Sequence, residues 1–199
     1  RGLGDVYKRQ ANVGYFPRNE LLNYAKSNSK LMAHVSHHVP GVEFSTGSLG
    51  HGLPFATGLA LASKRRKKSN LVYVINSDGE MAEGSNWEAI LFSSHHKLDN
   101  LVLILDYNKL QSFGRVQDTL SIEPIREKLI SFGWNTQVID GHNYRSIEHA
   151  LLKCKKLKGK PNCIIANTVK GKGISFMENK VEWHYRCPNY DEYNKSLEV

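Results

Sequence analysis

Residues 71–111 read LVYVINSDGEMAEGSNWEAILFSSHHKLDNLVLILDYNKLQ, and this stretch decides the fold. It opens with a β-rich apolar run ending in Ser77, Asp78 and Gly79, and closes with a second ending in Asp106, Tyr107 and Asn108. Between them Met81, Trp87, Ile90, Leu91 and Leu98 recur at roughly helical spacing, which predicts a helix between two strands. The result is one βαβ unit, with parallel strands whose carboxyl ends open on the sheet edge where open α/β sheets hold ligands. Asp78 and Asn108, thirty positions apart, are therefore expected to face one crevice. A carboxylate, an amide oxygen and a nearby backbone carbonyl form an all-oxygen set, of the kind Mg²⁺ accepts when a diphosphate completes its shell. Gly79 is expected to allow a tight turn, and the following helix to point its first N–H groups at an anion.

Working outward, residues 53–62 read as a buried helix of small and apolar residues, and residues 19–26 as a short helix. Downstream, the spacing predicts a helix over 120–132 with Pro124 in its first turn. A strand over 134–139, an amphipathic helix over 146–157 and a buried strand over 163–169 follow. This alternation predicts an α/β fold: a parallel sheet with helices on both faces, joined by right-handed crossovers.

A length of 199 residues suits a single domain with a sizeable core. No apolar run approaches the roughly 20 residues of a membrane helix and no signal-peptide pattern opens the chain, so a cytoplasmic location and no membrane partner are expected. Cys154, Cys163 and Cys187 are odd in number and lack metal spacing, and are read as free thiols. The net charge of +8 is sharpest at Lys64, Arg65, Arg66, Lys67 and Lys68. That run closes a predicted helix, where cations complement the dipole, and no aromatics interleave for base stacking; no nucleic-acid partner is expected. His34, His37 and His38 lie within five positions but lack the spacing and supporting ligands of a metal site.

The central stretch resembles the thiamine-diphosphate signature of transketolases, with Ser77, Asp78 and Gly79 in place of Gly-Asp-Gly and Asn108 thirty residues on. Glu80, Glu83, Gly84, Trp87, Glu88 and Ala89 also sit where transketolases place similar residues, as does the run Lys97 to Leu101. Gly47, Ser48, Leu49, Gly50, His51 and Gly52 resemble the family's upstream glycine-rich loop. The resemblance implies a thiamine-diphosphate-binding (PP-domain) fold in residues 11–199, lacking its N-terminal part. It implies thiamine diphosphate and Mg²⁺ as cofactors, with Asp78, Asn108 and the Leu110 carbonyl on the metal, and Gly47, Leu49 and Gly79 on the cofactor. His34 matches a cofactor-site histidine, and His184 the histidine that follows the family's Lys-Gly-Lys-Gly segment, here residues 170–173. Both are candidates for moving protons at substrate hydroxyls. Glu83 and Glu88 match contacts between protomers.

Residues 188–193 resemble the closing residues of split transketolases, in which this domain is a separate polypeptide. The implied activity is transfer of a two-carbon ketol unit from a ketose phosphate to an aldose. It requires a C-terminal partner subunit with a pyrimidine domain, in a hetero-oligomer with a dimeric core. The alternatives are another thiamine-diphosphate enzyme, of deoxyxylulose-phosphate synthase or 2-oxo-acid dehydrogenase type, or a non-catalytic scaffold. Residues 5–10, DVYKRQ, resemble the translated end of a transposon used in sequencing libraries, so residues 1–10 are expected to be a non-native leader.

Overall fold

The computed structural model describes residues 3–198. They divide into two compact units, Arg1–Leu49 and Gly50–Val199. The first holds helix α1 (Leu3–Asn12) and a 3-10 turn, Arg18–Asn23, where the sequence predicts a short helix over 19–26. Its own small core gathers Tyr7, Ala11, Phe16, Leu31 and Val39, and the Tyr7 hydroxyl donates to the Met32 carbonyl at 2.9 Å.

The second unit carries the sheet. Helix α2 (Gly52–Arg65) leads to strand β1 (Val72–Ser77), then to a 3-10 turn (Gly79–Ala82), helix α3 (Gly84–His95) and strand β2 (Leu101–Tyr107). A hairpin of β3 (Leu110–Gln111) and β4 (Gly114–Arg115) follows, with helices α4 (Val116–Thr119) and α5 (Ile125–Ser131). Strand β5 (Asn135–Asp140), helix α6 (Tyr144–Lys156), strand β6 (Asn162–Asn167), a 3-10 turn (Val181–His184) and helix α7 (Tyr190–Ser196) complete it. The main sheet is wholly parallel in the order β1-β2-β6-β5. Its register sets Ser77 beside Asp106, Tyr107 beside Asn167, and Asp140 beside Asn167. The four strands therefore finish almost in line, on one carboxyl edge.

Strand β2 is apolar at nearly every position because both of its faces are covered. Leu103 and Leu105 join a core with Leu53, Ala60, Ile90 and Leu129, contributed by α2, α3 and α5. Val102 joins Ile164, Ala150 and Cys154 under α6 on the other face. Each large side chain buried in this way contributes roughly 1.5–3 kcal/mol, and helices on both faces bear out the sequence expectation.

Two local departures have physical causes. The helix expected over 120–132 is shortened to α5, which starts only at Ile125, with Pro124 capping it instead of lying inside its first turn; α4 ends before the expected helix begins. The Glu123 carboxylate accepts from the Ile125 N–H at 2.9 Å, satisfying one of the first-turn donors that have no partner within the helix. The lysine run does more than decorate a helix end. Lys67 takes a left-handed φ of 53°, and the Lys68 N–H reaches back to the Ser63 carbonyl at 2.9 Å, stopping α2 in a Schellman turn.

Candidate cofactor site

At the carboxyl edge the crossover from β1 to β2 returns Asn108 to the neighbourhood of Asp78, as the βαβ reading requires. The Asp78 carboxylate is 1% exposed and accepts from two backbone groups, the Gly79 N–H at 2.8 Å and the Lys109 N–H. Among the described residues no cationic side chain pairs with it. Desolvation by burial pushes its pKa up to about 6, the two backbone donors opposing the rise and the Asp106 charge adding to it. The Asn108 amide oxygen accepts from the Leu110 N–H at 2.9 Å and keeps a second lone pair. Between them Lys109 holds a left-handed φ of 65°, a conformation that turns its N–H onto Asp78. Asp78, Asn108 and the Leu110 backbone are thus gathered around one short turn. A cavity of about 380 Å³ opens beside it, lined by Asn108, Lys109, Leu110, Arg115, Ser121 and Glu123.

Gly79 does not occupy the left-handed region, so a tight turn is not what requires glycine. A Cβ at Gly79 would lie 2.9 Å from the Gln111 Cβ: the requirement is steric. Ser77, in the place of the signature's first glycine, fits by being used, its hydroxyl accepting from the Glu80 N–H at 3.1 Å. The turn after Asp78 is a 3-10 turn, so α3 begins six residues beyond it, at Gly84. Donors next to Asp78 therefore come from the turn and not from the α-helix.

Two asparagines that sequence reasoning passed over, Asn76 and Asn86, stiffen this turn together with Glu80. Asn76 donates to the Asn86 amide oxygen at 3.2 Å, and Asn86 donates to the Glu80 carbonyl at 2.6 Å. The Glu80 carboxylate accepts from the Gly50 N–H at 3.0 Å, and the Ser85 hydroxyl donates to the Gly50 carbonyl at 2.6 Å. Two buried asparagines flanking the signature were the available signal. The role of Lys109 lies in its backbone and leaves none.

The other expected site residues fall in separate groups. His34 and Gly47 meet in the first unit, where a Cβ on Gly47 would lie 3.0 Å from the imidazole. His37 and His38 bond to the hydroxyls of Ser45 and Ser36, at 2.7 and 2.9 Å. Leu49 is exposed. In the second unit the turn bearing His184 packs against β3, which carries Leu110. Partial burial and then the Lys170 charge lower the pKa of His184. Glu83 and Glu88 are exposed on the α3 segment. Among the described residues no three His, Cys, Asp or Glu side chains cluster as metal ligands. A hard cation that shares its shell with a diphosphate does not need three; one carboxylate, one amide and one carbonyl suffice.

A parallel sheet with a buried acidic turn at its carboxyl edge defines a cofactor-binding α/β domain. The chain belongs to the transketolase family: the model for "Transketolase, thiamine diphosphate binding domain" matches residues 6–195. It is 46% identical over 198 residues to one of the subunits of the apulose-4-phosphate transketolase of Actinobacillus succinogenes, covering 99% of this chain and 71% of that protein. It is 41% identical over 180 residues to the SqwG subunit of the 6-deoxy-6-sulfo-D-fructose transketolase of a Clostridium species, covering 90% of this chain and 66% of the other. The crystal structure of transketolase from Campylobacter jejuni matches with a TM-score of 0.86 at 32% identity, over 90% of this chain and 29% of that one. The fold is thus that of a thiamine-diphosphate-binding domain of the transketolase type, whose enzymes are transferases. No helix among the described residues is long and apolar enough to cross a membrane.

Proposed function

We propose that this chain is the diphosphate-binding half of a two-subunit transketolase, moving a two-carbon ketol unit from a ketose phosphate to an aldose. The observation that carries the reading is Asp78, a carboxylate buried to 1% exposure with no cationic partner among the described residues. A buried charge left without a counter-ion is costly, and a divalent cation at this point offsets that cost. Asp78 and Asn108 would hold Mg²⁺ through their side chains and Leu110 through its carbonyl, a hard oxygen set of the kind that accepts this ion together with a diphosphate. When bound, thiamine diphosphate supplies the nucleophilic carbon and electron sink that a ketose carbon–carbon cleavage needs.

The chain's own residues bind and orient. Gly47, Leu49 and Gly79 would be cofactor-binding residues, Gly79 because its missing side chain lets the turn be approached closely. His34 and His184 exchange protons with substrate hydroxyls, and the lowered pKa of His184 keeps its imidazole neutral and able to accept near pH 7. Glu83 and Glu88 meet a neighbouring protomer. The C-terminal partner with its pyrimidine domain, working in the same cytoplasm, supplies the glutamate that activates the cofactor. Two of the relatives carry names that make them subunits of a transketolase, which supports this division of labour. The test is to titrate thiamine diphosphate with Mg²⁺ into the chain, then to assay ketol transfer with and without the partner. Binding that ignores Mg²⁺, or full turnover by the chain alone, refutes the reading. A donor screen separates it from deoxyxylulose-phosphate synthase or 2-oxo-acid dehydrogenase chemistry.

A further inference from the structure

The carboxyl edge holds a polar group that the ligand set above does not use. Gln111 ends β3 and lies directly on the Asp78–Gly79 turn: its Cβ is 2.9 Å and its Oε1 3.3 Å from where a Gly79 side chain would begin. Its Nε2 is shielded from solvent and has no hydrogen-bond partner among the described residues. An amide nitrogen in that condition loses its water without recompense. Native structures keep few such groups, and a partner from outside the chain, such as an ion or a bound ligand, is one way in which they are satisfied. Buried side-chain atoms of Gln10, Asn100 and Thr136 are in the same condition, but they are two amide oxygens and a hydroxyl. Gln111, by contrast, presents an N–H donor, and it does so beside the turn whose carboxylate is built to hold a cation.

The geometry around it limits the alternatives. The Gln111 side chain fills the space that makes residue 79 a glycine, so the two residues are a matched pair across the β1 and β3 ends. The hairpin register, Gln111 opposite Gly114 and Leu110 opposite Arg115, fixes its backbone next to the Leu110 carbonyl. An amide donor held beside Asp78 and the Leu110 carbonyl, the groups proposed above to hold a cation, suits an anionic oxygen. We propose that Gln111 is a cofactor-binding residue whose side-chain amide donates to a diphosphate oxygen seated on the Asp78–Gly79 turn. The proposal rests on the reading of this edge as a diphosphate site and adds a donor to it.

The test uses the full chain and inorganic pyrophosphate with Mg²⁺ as the probe, so that only the diphosphate is present, followed by thiamine diphosphate with Mg²⁺. Gln111→Leu keeps the bulk and removes the donor, and Gln111→Glu keeps the shape and faces the anion with a charge. Affinity for both probes is expected to fall about tenfold in the first variant and about a hundredfold in the second. Urea unfolding without ligand is expected to leave Gln111→Leu at least as stable as the parent, because no bond is lost. Equal affinity of parent and Gln111→Leu overturns the proposal while leaving the diphosphate reading intact. So does a loss of stability without a loss of affinity, which means that the amide is paired within the chain. Failure of the parent chain to bind either probe overturns the diphosphate reading itself, and the proposal with it.

Discussion

Two aspartates mark opposite edges of the sheet, and they have been treated in opposite ways. Asp78, after β1 on the carboxyl edge, is buried with two backbone donors and no cationic partner among the described residues, and its pKa rises to about 6. Asp99, before β2 on the amino edge, accepts from Lys64 Nζ at 2.8 Å and from the Gly159 N–H at 2.9 Å. Burial pushes its pKa up, but the Gly159 bond, Lys64 and the Lys158 charge outweigh this and leave it low. The amino edge closes its electrostatics internally and ties the end of α2 to the turn before β6. The carboxyl edge leaves a carboxylate and an amide donor open, which destabilises the folded chain until something binds.

The contrast is broken most directly by Asp78→Ala, for which thiamine diphosphate with Mg²⁺ should bind at least about a hundredfold more weakly by calorimetry. If the affinity is unchanged, Asp78 is an ordinary buried acid and the contrast collapses.

Next in size is the dependence on pH. The folded pKa of Asp78 lies above its unfolded value, so between about pH 4 and pH 6 the native state binds more protons than the unfolded state. Stability of the ligand-free chain should therefore fall as pH rises through that window, by up to about 3 kcal/mol, and level off above it. Asp99 has the opposite sign: its contribution is present above the unfolded value near 3.8 and is lost as pH falls through its lowered folded pKa. Urea midpoints across the range should lose the descending limb in an Asp78→Ala chain. In the same series Mg²⁺ affinity in the parent should weaken about tenfold per unit below pH 6, because a proton and the metal compete for one carboxylate.

Asp99→Ala should cost about 1 kcal/mol of stability at neutral pH, since its partners are partly exposed and screened. Cofactor binding should not move; a matching loss of affinity would mean that the two edges are coupled. The smallest effect is reserved for Ser77→Gly, which restores the family's usual residue. It removes the bond to the Glu80 N–H and should lower stability by about 0.5–1 kcal/mol without tightening the cofactor, as thermal melts and titration together would reveal.

How far the sequence could be read follows from where each interaction resides. Strands β2 and β6 were legible because burial on two faces leaves apolar runs, residues 101–105 and 163–166, while edge strand β1 was legible from its branched residues although Tyr73 and Ile75 stay exposed. The pairing of Asp78 with Asn108 was legible because a crossover must return to the same edge. The late start of α5 at Ile125 was not, since Glu123 bonds its first N–H through a side chain that helical spacing cannot distinguish from a solvated one. The reason for Gly79 was misjudged for a related cause: its partner Gln111 is remote in sequence, and no local pattern announces the approach. Lys67 and Lys109 adopt left-handed conformations that lysine seldom takes, so their part in stopping α2 and in facing Asp78 is carried entirely by backbone geometry.

The interval of thirty residues from Asp78 to Asn108 can now be read as a length instead of a motif. It is the 3-10 turn, the twelve residues of α3, the turn at the amino edge and the seven residues of β2, laid end to end. A residue inserted near Lys97, where the chain reverses far from the ligand, shifts nothing at the carboxyl edge. The same insertion inside β2 slips its alternation, turning the core-facing leucines outward and carrying Asn108 away from Asp78. Relatives should accordingly vary in length at that distant bend and hold strict length in the strand, so that insertions and deletions, more than substitutions, trace which part of the crossover the cofactor measures.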